Sequence, residues 1–177
     1  MKTPEKIQVM EAALRRVARC AQQDVLVLRG GLLSRAWLGP ELRDADDLDF
    51  LVPSDTPGPY PWGPARTRQI FAAALAAPLE DGVVFDLDSL DALATWEDTD
   101  SPGVRLQVQA TVHGQGPVPL QIDVGFGDPM DPGPQRYDYP FTQGPPASVW
   151  AACPETALAW KVHGLFEHRD GRWRPKD

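Results

Sequence analysis

Two aspartates with one residue between them are the first feature of the sequence that could do chemistry. Asp47 and Asp49 flank Leu48 at the start of an apolar run that predicts a short strand from Leu48 to Val52. Because side chains alternate along a strand, both carboxylates point to the same face. Two carboxylates so close repel each other unless one is protonated or a cation lies between them. Oxygen ligands of this kind suit Mg²⁺ or Mn²⁺.

A third carboxylate lies much later in the chain. Asp123 stands between Ile122 and Val124 in a strand of alternating apolar residues, which forms a hairpin with the alternating stretch at 104–112. If the Asp123 strand pairs with the strand of the first two aspartates, three carboxylates converge on one face of a sheet. That arrangement serves metal-assisted phosphoryl or nucleotidyl transfer. A lone aspartate in a strand, by contrast, is more often engaged in a local hydrogen bond.

A glycine pair precedes the two aspartates at the junction of a predicted strand and a predicted helix. Gly30 and Gly31 follow the apolar run Val-Leu-Val-Leu and Arg29, and a helix is expected from Leu32 to Leu38. Glycine allows the backbone to approach a phosphate closely, and a helix N-terminus offers free N–H groups. A pair of glycines is also an ordinary turn, so its value lies in its order relative to the aspartates.

Three further side chains are candidates for binding a nucleotide, each with a simpler alternative. Arg29 could bind a phosphate through two N–H groups or merely hydrogen-bond a carbonyl. Ser34 could contact a nucleotide or be a plain helix-surface serine. Lys161 could bind phosphates, but its position one turn from Leu158 and Leu165 also suits a lysine lying along apolar surface.

The elements that must position these residues alternate between helix and strand patterns. Helical spacing predicts helices at about 4–22, 32–38 and 64–77, and a further one that starts at Pro154. Strands are expected at 25–28, 48–52, 83–85, 104–112 and 120–126, while 89–96 is ambiguous. The Pro- and Gly-rich segment between Phe126 and Pro154 is expected to be a loop.

Composition narrows the class of protein. The chain has 177 residues, a net charge of −8 and two distant cysteines, which do not suggest a disulfide framework or a cysteine metal site. No apolar stretch reaches the length of a membrane span and no signal-peptide pattern is present, so a cytoplasmic protein without membrane partners is expected. The acidic charge disfavours binding nucleic acid through its phosphates alone, but is compatible with a nucleotide bound through a metal.

The motifs taken together resemble the AbiEii/AbiGii-type nucleotidyltransferase toxins of the polymerase-β-like superfamily. The resemblance covers nearly the whole chain from Leu26. It rests on four stretches, which are Arg29–Leu51, Gly103–Asp128, Cys153–Lys161 and Arg174–Asp177. The chain departs from the family in a longer gap between Gly31 and Asp47. It also has Trp160 where the family often has an acidic residue before the lysine.

The resemblance implies an α+β fold, in which a mixed, largely antiparallel sheet is flanked by helices. It implies a nucleotidyltransferase core at 1–152 and the start of a C-terminal helical region at 153–177, a region that we expect to be truncated. Asp47, Asp49 and Asp123 would hold Mg²⁺ and a nucleoside triphosphate, Lys161 would contact phosphates, and Asp177 would complete the site. Such proteins are toxins of toxin–antitoxin or phage-exclusion pairs, and some act on tRNA.

Two other functions remain open from the sequence. The chain could be a degenerate or truncated homologue that only binds a nucleotide or a partner protein. It could also be a nucleotidyltransferase of the antibiotic-modifying kind, since a charge of −8 suits cationic small molecules better than RNA. Transfer of label to RNA, to a small cationic acceptor or to neither distinguishes the three.

Overall fold

The computed structural model describes residues 4–41, 44–58, 60–95 and 102–167, with side chains described to residue 164. In these residues a seven-stranded mixed sheet is combined with four helices. The helices are α1 (Pro4–Val17), α2 (Gly30–Leu38), α3 (Pro64–Leu75) and α4 (Pro154–Glu167). The strands are β1 (Val27–Arg29), β2 (Leu48–Val52), β3 (Val83–Thr95), β4 (Gly103–Val112), β5 (Gln115–Phe126), β6 (Gln135–Tyr139) and β7 (Ala147–Ala151).

The strands lie in the order β3-β4-β5-β2-β1-β7-β6. Four neighbouring pairs are antiparallel, whereas β2 with β5 and β1 with β7 are parallel. This confirms the expected α+β class and the mixed, largely antiparallel sheet. The parallel pairing of β2 with β5 places Asp49 opposite Asp123, and Asp47 lies immediately before β2.

One face of the sheet packs against α1 and α3 to form the core. Alternation in β2 sends Leu48, Phe50 and Val52 to this face, where all three are buried. Phe50 contacts Phe71 of α3, with ring centroids 5.9 Å apart. Burial of such a side chain stabilises the fold by about 1.5–3 kcal/mol. The opposite face of β2 is left for Asp49 and Leu51, so the hydrophobic pattern fixes which way the carboxylate points.

Several element boundaries differ from those expected. Helix α1 ends at Val17 rather than near residue 22, because the hydrogen bonds that follow tighten to the i→i+3 type, as from Cys20 N–H to the Val17 carbonyl. Helix α2 begins at Gly30 rather than Leu32. Strand β3 unites the expected strand at 83–85 with the ambiguous stretch after it, across an irregularity between Asp86 and Asp91 that disrupts the alternation.

The loop predicted between Phe126 and Pro154 was wrong in part, because it contains β6 and β7. These strands pair antiparallel, and β7 adds to β1 in parallel. The prolines and glycines around β6 and β7 favoured a loop in the prediction. The two strands have five residues each and are stabilised by pairing with neighbouring strands. None of the helices in the described parts of the chain combines the length and apolar character needed to span a lipid bilayer.

Candidate active site

Four charged residues form a row across four adjacent strands. Arg29 of β1 is the direct partner of Asp49 in β2, and Asp49 is the direct partner of Asp123 in β5. Asp123 is in turn the partner of Arg105 in β4. Residues in register across a sheet point to the same face. The site is therefore a band of charge in the order plus, minus, minus, plus.

Asp47 joins the two central carboxylates of this row. One oxygen atom from each of Asp47, Asp49 and Asp123 lies within 4.8 Å of the others. The three carboxylates converge as predicted, although Asp47 lies in a bend just before β2 and not in the strand itself. Three carboxylate oxygens at this spacing fit the hard oxygen ligands that Mg²⁺ and Mn²⁺ take. The residues therefore suit a divalent cation, which would also relieve the repulsion among them.

Asp49 lies in the least favourable environment for a negative charge. Burial is the largest cause that raises its pKa from 3.8 to about 7, and the neighbouring charge of Asp47 adds to it. The Asp123 carboxylate raises the pKa further. Arg29 and a hydrogen bond from the Gly31 N–H lower it without cancelling the rise. A half-buried carboxylate held beside two others is a group that a cation would stabilise in its charged form.

Gly30 and Gly31 form the first turn of α2, the glycine turn, which packs closely against Asp49 and the loop that leads to it. Gly30 has φ of +74°, and a Cβ there would overlap the carboxylate of Asp49. Glycine at this position is thus required twice, by the left-handed backbone and by the close approach. Gly31 packs against Ala45, whose Cα lies 3.4 Å from the position that a Cβ on Gly31 would take. The turn and the strand carrying the aspartates therefore pack as one unit.

Arg105 holds Asp123 through two hydrogen bonds and was not predicted from the sequence. Its Nε and Nη2 donate to the two carboxylate oxygens at 2.8 and 2.9 Å. Gln121 Nε2 also donates to Asp123 Oδ2, at 3.0 Å. Asp123 is buried, so these donors provide the partners that a buried carboxylate needs. Counting outward from the turn at 113–114 would have placed Arg105 opposite Ile122, because the register of the hairpin shifts by one residue between Ala110 and Val112.

Arg29 is turned toward Asp128 at the other end of the row. Its Nη1 donates to Asp128 Oδ2 at 2.5 Å. Its guanidinium also lies over the ring of Trp160 in α4, 5.3 Å from the centroid. The side chain passes across Gly125, where a Cβ would lie 2.7 Å from Arg29 Nη2. These contacts fasten α4 to the face of the sheet that carries the carboxylates.

A family model for the nucleotidyl transferase AbiEii toxin of type IV toxin–antitoxin systems matches residues 12–177. The match spans the glycine turn, the three aspartates and α4. The chain belongs to the AbiEii toxin family. No curated protein is similar enough in sequence to match the chain.

A solved structure supports the fold of this AbiEii family member. MenT4, a nucleotidyltransferase toxin from Mycobacterium tuberculosis, superimposes with a TM-score of 0.51 at 17% sequence identity. The comparison covers 88% of this chain but 51% of MenT4, so the chain spans about half the length of that relative. At this identity the likeness concerns the fold.

The remaining predicted residues of the AbiEii site lie in different surroundings. Ser34 donates its hydroxyl to the Gly30 carbonyl at 3.0 Å, within α2. This bond is what an ordinary helix serine makes. Lys161 is on the exposed side of α4, next to Trp160. Asp177 lies outside the described residues.

Proposed function

We propose that the chain is a metal-dependent nucleotidyltransferase that moves a nucleoside monophosphate from a nucleoside triphosphate to a hydroxyl acceptor. The observation that carries this proposal is the meeting of Asp47, Asp49 and Asp123, with one oxygen of each within 4.8 Å of the others. Gly30, at the start of α2, lies directly against the Asp49 carboxylate. Membership of the AbiEii family adds support for the reaction class.

The three aspartates are proposed to hold Mg²⁺ or Mn²⁺, each through a carboxylate oxygen. Bound there, the ion supplies charge neutralisation for the phosphates and lowers the pKa of the acceptor hydroxyl. The chain's own contribution is placement. Arg105 and Gln121 fix the direction of the Asp123 carboxylate. The Gly31 N–H orients Asp49 in the same way.

The triphosphate is proposed to lie at the start of α2. Gly30 and Gly31 place no side chain there, and the N-terminal end of a helix attracts negative charge. We assign Arg29 and Lys161 to neutralising the phosphates, with Ser34 nearby. Asp177 is proposed to complete the site, as the family resemblance implies. The core is proposed to end at residue 152, between β7 and α4.

The biological role is proposed by analogy with the family. The chain would be the toxin of a toxin–antitoxin pair, with a cognate antitoxin protein as its partner and the cytoplasm as its place of action. The acceptor is proposed to be RNA, with tRNA as the first to test. Fold alone does not fix an acceptor, because related sites serve different ones.

Calorimetric titration tests the nucleotide site directly. Each of the four nucleoside triphosphates is titrated into the protein with Mg²⁺ and then with EDTA. Magnesium-dependent binding that Asp49→Ala abolishes is the expected result. The matched control is Asp138→Ala, which removes an exposed carboxylate from β6. Absence of binding to the wild type would favour a degenerate homologue and reject the enzyme.

Radiolabel transfer then identifies the acceptor. An α-labelled triphosphate is incubated with the protein and either total tRNA or an aminoglycoside. Label on the tRNA supports the proposed acceptor. Label on the aminoglycoside alone would support the antibiotic-modifying alternative, which the acidic net charge of −8 favours.

A further inference from the structure

A cleft of about 320 Å³ opens beside the carboxylate cluster. Its lining includes Asp47, which is shared with the cluster, and three glutamines from the β4–β5 hairpin. The glutamines are Gln107, Gln109 and Gln121, and Lys6 of α1 and Asp46 are the other polar lining residues. The cleft therefore presents three amide side chains next to the carboxylate cluster.

Hydrogen bonding and register connect this glutamine cleft to the cluster. Gln121 donates to Asp123 and is the direct partner of Gln107 across the hairpin. Because side chains alternate, Gln107 and Gln109 lie on the same face as Arg105. The glutamines thus lie on the same face of the sheet as the row of charged residues, further along β4 and β5.

The cleft and the glycine turn lie on opposite sides of the carboxylates. The turn follows β1, which borders β2 on one side. The glutamines lie on β5, which borders β2 on the other side, and on β4 beyond it. A substrate that spans the site would have its phosphates at one end and a different chemical group at the other.

Amide side chains and a polyphosphate are poor partners. Lys6 is the cation among the described lining residues, and Asp46 and Asp47 offset it. Three primary amides, in contrast, present donors and acceptors together, which is the pattern that hydrogen-bonds the edge of a nucleobase. The lining accordingly favours a neutral nucleoside, with Lys6 placed for a single adjacent phosphodiester.

We propose that the glutamine cleft is the acceptor subsite and binds the terminal nucleoside of an RNA chain. This inference rests on the proposed function. The attacking ribose hydroxyl forms a bond from its oxygen to the α-phosphorus, and the bond from that phosphorus to the bridging α–β oxygen breaks. Pyrophosphate departs with the bonding electron pair, and the hydroxyl proton passes to solvent. Gln107 and Gln109 recognise the base.

The test uses Gln107→Leu and Gln109→Leu in the full chain. Both side chains are exposed and removed from the carboxylates in register, so the substitutions leave the core intact. Gln135→Leu is the control, because it changes an exposed glutamine on β6. Fluorescence anisotropy measures binding of labelled total tRNA, and calorimetry measures binding of Mg²⁺ with nucleoside triphosphate.

Each cleft variant is expected to weaken tRNA binding and raise the KM for tRNA about ten-fold, in line with one lost base contact. Triphosphate affinity should stay within about two-fold of the wild type, and the control should match the wild type in both assays. Unchanged tRNA binding, or an equal loss of triphosphate affinity, would overturn the acceptor assignment. Failure of the proposed function is a separate result, in which wild-type protein binds tRNA through the cleft but no triphosphate.

Discussion

Arg105 and Asp123 face each other across the β4–β5 hairpin, and the Arg105 guanidinium donates a hydrogen bond to each carboxylate oxygen of Asp123. One of those oxygens is also within 4.8 Å of the oxygens of Asp47 and Asp49. The same carboxylate therefore serves an internal cation and a proposed metal ion. We predict that Arg105 acts as a counter-ion to the cluster when no metal is bound, and that a bound metal ion would compete with Arg105 for Asp123.

This competition predicts opposite effects of Arg105→Gln with and without metal. In EDTA the variant should unfold at lower temperature, because three carboxylates lose a positive neighbour; we expect a loss of about 1 kcal/mol for a partly exposed pair. Added Mg²⁺ should raise its Tm by more than it raises that of the wild type. Arg66→Gln, on the exposed face of α3, is the control. A smaller Mg²⁺ effect than in the wild type would contradict the competition.

Gly30→Ala is expected to disable the site and destabilise the fold. A Cβ at residue 30 overlaps Asp49, and φ of +74° costs a non-glycine residue about 1–2 kcal/mol before any clash. Urea unfolding should show the loss, and magnesium-dependent triphosphate binding should disappear. Gly63→Ala is the matched control, because a Cβ there meets nothing within 4 Å. Equal stability of the two variants would show that Asp49 can move away at little cost.

The pH dependence of stability should reveal the raised pKa of Asp49. Its pKa is 3.8 when unperturbed and about 7 in the fold, so the native state binds more protons than the unfolded state between these values. The stability that Asp49 contributes is present in full below the lower pKa and is lost as the pH rises through the higher one. In EDTA, Asp49→Asn should therefore gain Tm relative to the wild type between pH 4 and pH 7.

Added Mg²⁺ should reverse the order of these two proteins at pH 7, because the ion stabilises the charged carboxylate that the amide lacks. Thermal unfolding with and without metal measures both effects. Parallel pH profiles of the two proteins in EDTA would refute the raised pKa.

Asp128→Asn tests whether Arg29 serves the phosphates. The substitution removes the negative charge of Asp128, whose Oδ2 accepts a hydrogen bond of 2.5 Å from Arg29 Nη1. The Arg29 side chain passes across Gly125 to make this bond. Affinity for the triphosphate should rise several-fold, since Arg29 is released toward the site. Stability should fall by up to about 1 kcal/mol for a pair of this exposure. Asp131→Asn is the nearby control. A decrease in affinity would instead make Asp128 a support that holds Arg29 in its working position.

The meeting of the three carboxylates could be predicted from the sequence to the extent that it follows from the alternation of side chains along strands. Period two placed Asp47 and Asp49 on one face, and the structure brings Asp123 to them because β5 pairs with β2. The partners of these carboxylates were harder to predict. The register of the hairpin places Arg105 opposite Asp123, and that register depends on which residues form the turn. The turn is at His113 and Gly114, and β5 begins at the next residue.

Contacts between distant segments had no local sign at all. Asp128 follows β5 and Trp160 lies within α4, and only the complete fold brings the two residues to Arg29 of β1. Strands β6 and β7 were missed for a similar reason, since their conformation depends on pairing with each other and with β1. Local patterns thus predicted the elements that carry the aspartates better than those that enclose them.

The parallel pairing of β2 with β5 also has a consequence for timing. The ribosome makes Asp47 and Asp49 well before Asp123, since α3, β3 and β4 come between them in the chain. An unfinished polypeptide that has completed β2 has half of the cluster and no strand to bring the other half. The three carboxylates therefore cannot meet until α3, β3, β4 and β5 have also been synthesised.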